Sequence, residues 1–156
     1  MMIHTVIFRC SWPVMLAILF ASCFTTKLSK TELSEVHHRQ APADKSLVYI
    51  ARPSSMGYLA KLKLSCDGRE IGFTQGKRFV FTLVAPGTHR FISHGETDEE
   101  LLLVTEAGKT YFIHQQPRFG IITARSALET VDEKTGRELL ARCKLSGNCP
   151  AYSLPQ

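Results

Sequence analysis

A chain of 156 residues with 44% hydrophobic and 21% charged side chains has an ordinary globular composition, which excludes a wholly disordered chain and a polytopic membrane protein. Without a leader and a spacer, about 100 residues remain to fold, enough for one domain and too few for two. The formal charge of +5 suits contact with anionic surfaces, yet no basic stripe or nucleic-acid module accompanies it, so nucleic acid is not an expected partner.

Residues 1–9 carry Arg9 and no acid, and they precede the apolar run 12–21 (WPVMLAILFA). That run has the length of a signal-peptide core and is too short to cross a bilayer of about 30 Å as a helix. It ends in Phe20-Ala21-Ser22-Cys23. Small side chains suit a peptidase at that point, and the thiol is a nucleophile able to take a diacylglyceryl group. The segment resembles the lipobox of bacterial lipoproteins, matching at Ala21, Ser22 and Cys23 and departing at Phe20, where an aliphatic residue is usual. The expectation is a signal peptide over residues 1–22 and a lipidated Cys23, with a secretory signal lacking lipid and an uncleaved anchor as alternatives. Phe24 stands where an aspartate would resemble an inner-membrane retention signal, which in a host with two membranes points to the outer one. Buried acyl methylenes contribute roughly 0.8 kcal/mol each, so several chains tether a domain without embedding it.

Residues 23–46 are mostly polar and read as a spacer, with His37-His38 a poor chelate on a mobile strand. The run 47–51 (LVYIA) reads as a strand buried on both faces and closed by Arg52-Pro53. From Tyr58 to Cys66 apolar and basic residues alternate, which predicts a half-buried strand with Cys66 inward and Lys61 and Lys63 outward. Asp67-Gly68 then gives a hairpin turn. Further strands are predicted over 78–84, 89–94, 101–106, 110–115, 121–125 and 128–131, with turns at about ten-residue intervals, the spacing of an antiparallel sandwich or barrel. Asp132 can cap a helix running to about Cys143, which Gly136 weakens by about 1 kcal/mol relative to alanine. The tail 146–156 reads as irregular.

The segments LVYIARPSS, CDGREIG, APGTHRF, EAGKTYFI and the helix ending in RCKL occur in that order. In order and spacing the stretch 47–145 resembles the DUF2846 family of bacterial, often lipidated, proteins. The resemblance implies a compact β-sandwich-like domain in the envelope and no particular reaction. The expected fold is therefore mainly β, a small antiparallel sandwich with a short C-terminal helix.

For chemistry, His89, His94 and His114 are the candidate metal or acid–base residues, but alternation places His89 with Phe91 and His94 on the opposite face, and no HExxH spacing accompanies them. Cys143 and Cys149 are the candidate disulfide, with Cys66–Cys143 as the rival pairing. Lys61, Lys63 and Arg90 are candidate contacts to anionic lipid headgroups or envelope polymers. Ser126 lacks a GxSxG elbow. The sequence thus leads to a noncatalytic envelope lipoprotein with no cofactor, held to the membrane by lipid and serving as an interaction or structural module for an envelope protein or anionic polymer. Its alternatives are a metal-dependent hydrolase using the strand histidines and a binder of anionic surfaces.

Overall fold

The computed structural model describes residues 35–121, 125–147 and 149; the signal peptide expected over residues 1–22, Cys23 and residues 24–34 lie outside them. The described chain forms two sheets and one regular helix of more than one turn. The first sheet has the order β8-β7-β1-β4-β9, where β1 is Ser46–Arg52, β4 Arg78–Val84, β7 Thr110–Arg118, β8 Arg125–Val131 and β9 Lys144–Leu145. The second has the order β3-β2-β5-β6, where β2 is Leu62–Cys66, β3 Arg69–Thr74, β5 Gly87–His94 and β6 Glu99–Thr105. The helix α1, Glu133–Ala141, lies between β8 and β9 in sequence. The domain is mainly β and sandwich-like, as expected. Its pairing is not wholly antiparallel, because β1 runs parallel to β7 and β4 parallel to β9.

Central β1 is buried throughout, which its unbroken apolar run requires of a strand covered on both faces. One face of its sheet meets the second sheet through a core that includes a polar seam. There Thr74 Oγ1 donates to Gln115 Oε1, while the Ser93 hydroxyl accepts from Gln115 Nε2 and from Ser126 Oγ, both at 2.6 Å. The seam draws on β3, β5, β7 and β8, so it ties both sheets with mutually satisfied groups. The other face carries Tyr49, stacked on Phe112 at 5.5 Å and flanked by Phe79 and Phe81. Helix α1 covers this face. Asp132 caps it by accepting from Thr135 N, and Gly136 sits so close to Phe112 that a Cβ there would lie 2.2 Å from the ring.

Other sequence expectations change as well, and the strands expected over 121–125 and 128–131 are replaced by the single strand β8 from Arg125 to Val131. The spacer 23–46 ends earlier than expected: residues 35–37 form a helical turn, Val36 is buried, and its carbonyl accepts from Tyr49 Oη at 2.6 Å. The strand expected from Tyr58 begins only at Leu62. The cause is Arg52, whose fully buried guanidinium donates to the carbonyls of Met56, Gly57 and Ala60, each at 2.8 Å, and so folds residues 56–59 into turns. The helix stops at Ala141, and Lys144–Leu145 become an edge strand beside Arg78 and Phe79.

That last change also removes the candidate disulfide. Cys143 is a buried free thiol, while the Cys149 thiol donates to Phe81 O. The parallel register sets Cys143 level with Lys77, four residues along β4 from Phe81. At about 3.3 Å per residue the two cysteines are on the order of 13 Å apart, beyond the roughly 7 Å a disulfide spans. The rival Cys66–Cys143 pairing is likewise absent, Cys66 being a free thiol.

Candidate functional site

The second sheet has an outer face that no described element covers, built by alternation along its strands. On β5 it presents Thr88, Arg90, Ile92 and His94, opposite Val104, Leu102 and Glu100 of β6 and Ser65 and Lys63 of β2. Leu102 and Val104 are 63% and 67% exposed, large values for two aliphatic side chains on one strand face. One of the cations around them is paired with a carboxylate, one lies against an aromatic ring, and Lys63 is exposed. Arg90 lies 3.6 Å from Glu100, and the Lys61 ammonium sits 4.9 Å from the centre of the Phe73 ring. Lys63 and Arg90 lie on this sheet and Lys61 just precedes β2, and the carboxylates of Glu70 and Glu100 keep the face from being a single-sign patch.

An open recess of about 420 Å³ on the same face is lined by Lys63, Ser65, Glu70, Ile92 and His94. Here Ser65 Oγ lies 2.9 Å from His94 Nε2, and His94 Nδ1 lies 3.0 Å from Asp98 Oδ2. A hydroxyl, an imidazole and a carboxylate thus stand in the order of a nucleophile, its base and an orienting group. The surroundings are less favourable to acyl transfer. The His94 and Asp98 side chains are 40% and 60% exposed, so water screens their interaction. Ser65 pairs with Glu70 on one side and Ile92 on the other, with a register shift against β3 between Leu64 and Ser65.

A second cluster lies at the β2–β3 turn. Asp67 takes φ 50° and Gly68 φ 80°, the positive values of a tight hairpin. This turn lays the Asp67 carboxylate along β5. Oδ1 accepts from Arg90 N at 2.8 Å, and Oδ2 lies 2.6 Å from His89 Nδ1. His89 Nε2 lies 2.7 Å from Ala85 O. A carbonyl and an ionised carboxylate only accept, so both ring nitrogens donate and His89 is an imidazolium in this arrangement. Burial opposes that charge, but the bonds to Asp67 and Ala85 and the Asp67 charge outweigh it and hold the His89 pKa above the usual histidine value. The Arg90 N–H and then His89 hold the Asp67 carboxyl below the usual carboxylate range. The Cys66 thiol, 3.8 Å from Asp67 Oδ2, is pushed up to about 12, chiefly by burial and then by the Asp67 charge.

The three strand histidines are not brought together. His89 binds Asp67 at the sandwich rim, His94 faces outward with Asp98, and His114 of the other sheet pairs with Glu129 at 3.2 Å. Sequence reading missed both clusters. The outward alternation of Ser65 and the four-residue step from His94 to Asp98 are visible in the chain, but the β2–β5 register that joins them is not.

The chain is 29% identical over 133 residues to an uncharacterized protein of Haemophilus influenzae (strain Rd KW20), covering 83% of this chain and 79% of the relative. No solved structure matches it. The family model described as "Protein of unknown function (DUF2846)" matches residues 42–127, more than half of the chain and most of both sheets, and the protein belongs to the DUF2846 family.

Proposed function

We propose that the protein is a noncatalytic envelope lipoprotein, exported and tethered through Cys23 to the outer membrane, whose β-sandwich binds an envelope protein through the outer face of β3-β2-β5-β6. The observation that carries this reading is the exposure of Leu102 and Val104 beside charges of both signs on an uncovered sheet face. Apolar area flanked by charges of both signs suits a protein surface. An anionic polymer or headgroup layer would call for a concentration of cations, whereas this face mixes Lys63 and Arg90 with Glu100 and Glu70. Among the described residues no helix is long and apolar enough to cross a membrane, which is compatible with a lipid tether.

Crosslinking in intact cells followed by mass spectrometry tests both halves of the proposal. The expected result is a partner peptide joined to residues 99–105 and a diacylglyceryl group on the Cys23 peptide. An unmodified Cys23 in membrane-extracted protein would remove the tether, and crosslinks confined to the α1 side would move the interface.

The hydrogen-bonded line from Ser65 through His94 to Asp98 favours a second reading, acyl transfer at Ser65. A fluorophosphonate probe separates the two. The noncatalytic reading expects no labelling, and labelling abolished by Ser65→Ala would replace it with a hydrolase.

A further inference from the structure

The cluster at the β2–β3 turn has more organisation than a hairpin clamp requires. Cys66, Asp67 and His89 each offer one donor atom, a thiol, a carboxylate oxygen and an imidazole nitrogen, and these atoms lie within 4.8 Å of one another, with Asp67 Oδ2 3.8 Å from Cys66 Sγ and 2.6 Å from His89 Nδ1. We propose that these three atoms form a binding site for a borderline divalent transition cation of the Zn²⁺ class, with one coordination position left open.

Mixed sulfur, nitrogen and oxygen donors match the preference of such a cation. Tetrahedral coordination with metal–ligand bonds of about 2.0–2.3 Å separates neighbouring donors by roughly 3.3–3.6 Å. The 3.8 Å from Cys66 Sγ to Asp67 Oδ2 is already close to that spacing. The 2.6 Å between Asp67 and His89 is the length of a shared proton, and a cation in the proton's place would widen it by about 0.7 Å.

The groups behind the donors are an independent observation. A metal-bound histidine characteristically gives its second ring N–H to a carbonyl or carboxylate, which fixes the orientation of the ring. His89 Nε2 does this with Ala85 O, leaving Nδ1 aimed at Asp67. The second oxygen of Asp67 is held by Arg90 N, which orients the carboxylate toward His89 and Cys66. All three side chains border an open recess of about 360 Å³ whose other walls include Ile71, Val84 and Ala85. This recess provides an entry path and room for water or an exogenous ligand at the fourth position. The site is independent of the interaction face: it sits at the hairpin end of the sandwich and uses none of Leu102, Val104 or Arg90's side chain. Binding would replace the Cys66 thiol proton and the His89 Nδ1 proton by one metal ion, releasing two protons to solvent.

Cobalt titration of the full chain purified from membranes, after chelator treatment, tests the site. One equivalent of Co²⁺ is expected to give tetrahedral visible bands and a near-ultraviolet thiolate-to-cobalt band, both bleached by Zn²⁺. Cys66→Ser is expected to abolish the thiolate band. His89→Gln is expected to weaken binding by at least about tenfold, as loss of an imidazole ligand should. The double substitution His37→Ala, His38→Ala and the single substitution His114→Ala are expected to leave both signals intact. If Cys66→Ser fails to fold, Cys143→Ser and Cys149→Ser carry the test: a band retained in both supports the assignment, and a band lost in either overturns it. It is also overturned by folded wild-type protein without the thiolate band, or by a band that persists in folded Cys66→Ser.

Discussion

Arg52 is the residue on which the loop 53–61 depends. Its guanidinium is 0% exposed and is received by carbonyl dipoles, while Nε has no hydrogen-bond partner among the described residues. Burial lowers its pKa, so the charge is retained at a cost that the three carbonyls offset. Arg52→Ala is expected to destabilise the fold by about 2–4 kcal/mol, measured by urea unfolding, since it removes several charge-assisted bonds and leaves carbonyls unpaired. His89 makes a second residue-scale prediction. Its folded pKa is raised, so its contribution is complete below about pH 6.5 and is lost as pH rises through the folded value. In metal-free protein, the wild type is expected to lose more stability between about pH 6 and about pH 9 than His89→Gln does. Equal losses would show that His89 is not charged in the folded state. The chain shows His89 on the same side as Phe91, and the structure keeps it there. The partners Asp67 and Ala85 were not legible, because they depend on how a turn and a neighbouring strand end meet across the sheet.

At the level of elements, turns were easier to read than strand ends. Asp67-Gly68 and the β1 run appear in the structure where the sequence puts them, since each is decided by local backbone chemistry. Alternation continues through Tyr58, but the strand starts only at Leu62 because the buried Arg52 guanidinium captures the carbonyls of Met56, Gly57 and Ala60. In the sequence Gly136 is only a weak point of the helix. It is instead the point where α1 approaches the sheet, and the Phe112 ring fills the space a side chain would need. Gly136→Ala is therefore expected to destabilise by about 1–3 kcal/mol despite a gain in helix propensity of about 1 kcal/mol, because overpacking dominates. A thermal melt at or above the wild-type midpoint would refute that close approach. The seam around Gln115 makes a parallel case. Gln115→Leu keeps apolar volume but strips partners from Thr74 and Ser93, and a loss of about 1–3 kcal/mol in urea unfolding is expected.

For the molecule as a whole, the class of fold was legible because turn spacing and alternation repeat over most of the chain. The parallel pairings of β1 with β7 and β4 with β9 were not, since they join segments about 60 residues apart and leave no local mark. The exposed pair on β6 was also hidden: LLLVT has no apolar–polar alternation to mark a face, and its edge position next to β5 shows which side chains face solvent. This face carries the proposed function, so it provides the most direct test. A photoreactive amino acid placed at position 102 in cells should give a discrete crosslinked adduct, and the same probe at Glu138 on helix α1 should give none. With the probe moved to Thr88, opposite Val104, the double substitution Leu102→Glu, Val104→Lys should abolish the adduct while the protein remains folded and membrane-associated. An adduct unchanged by that substitution, or equal capture from Glu138, would contradict the outer sheet face as the interaction surface.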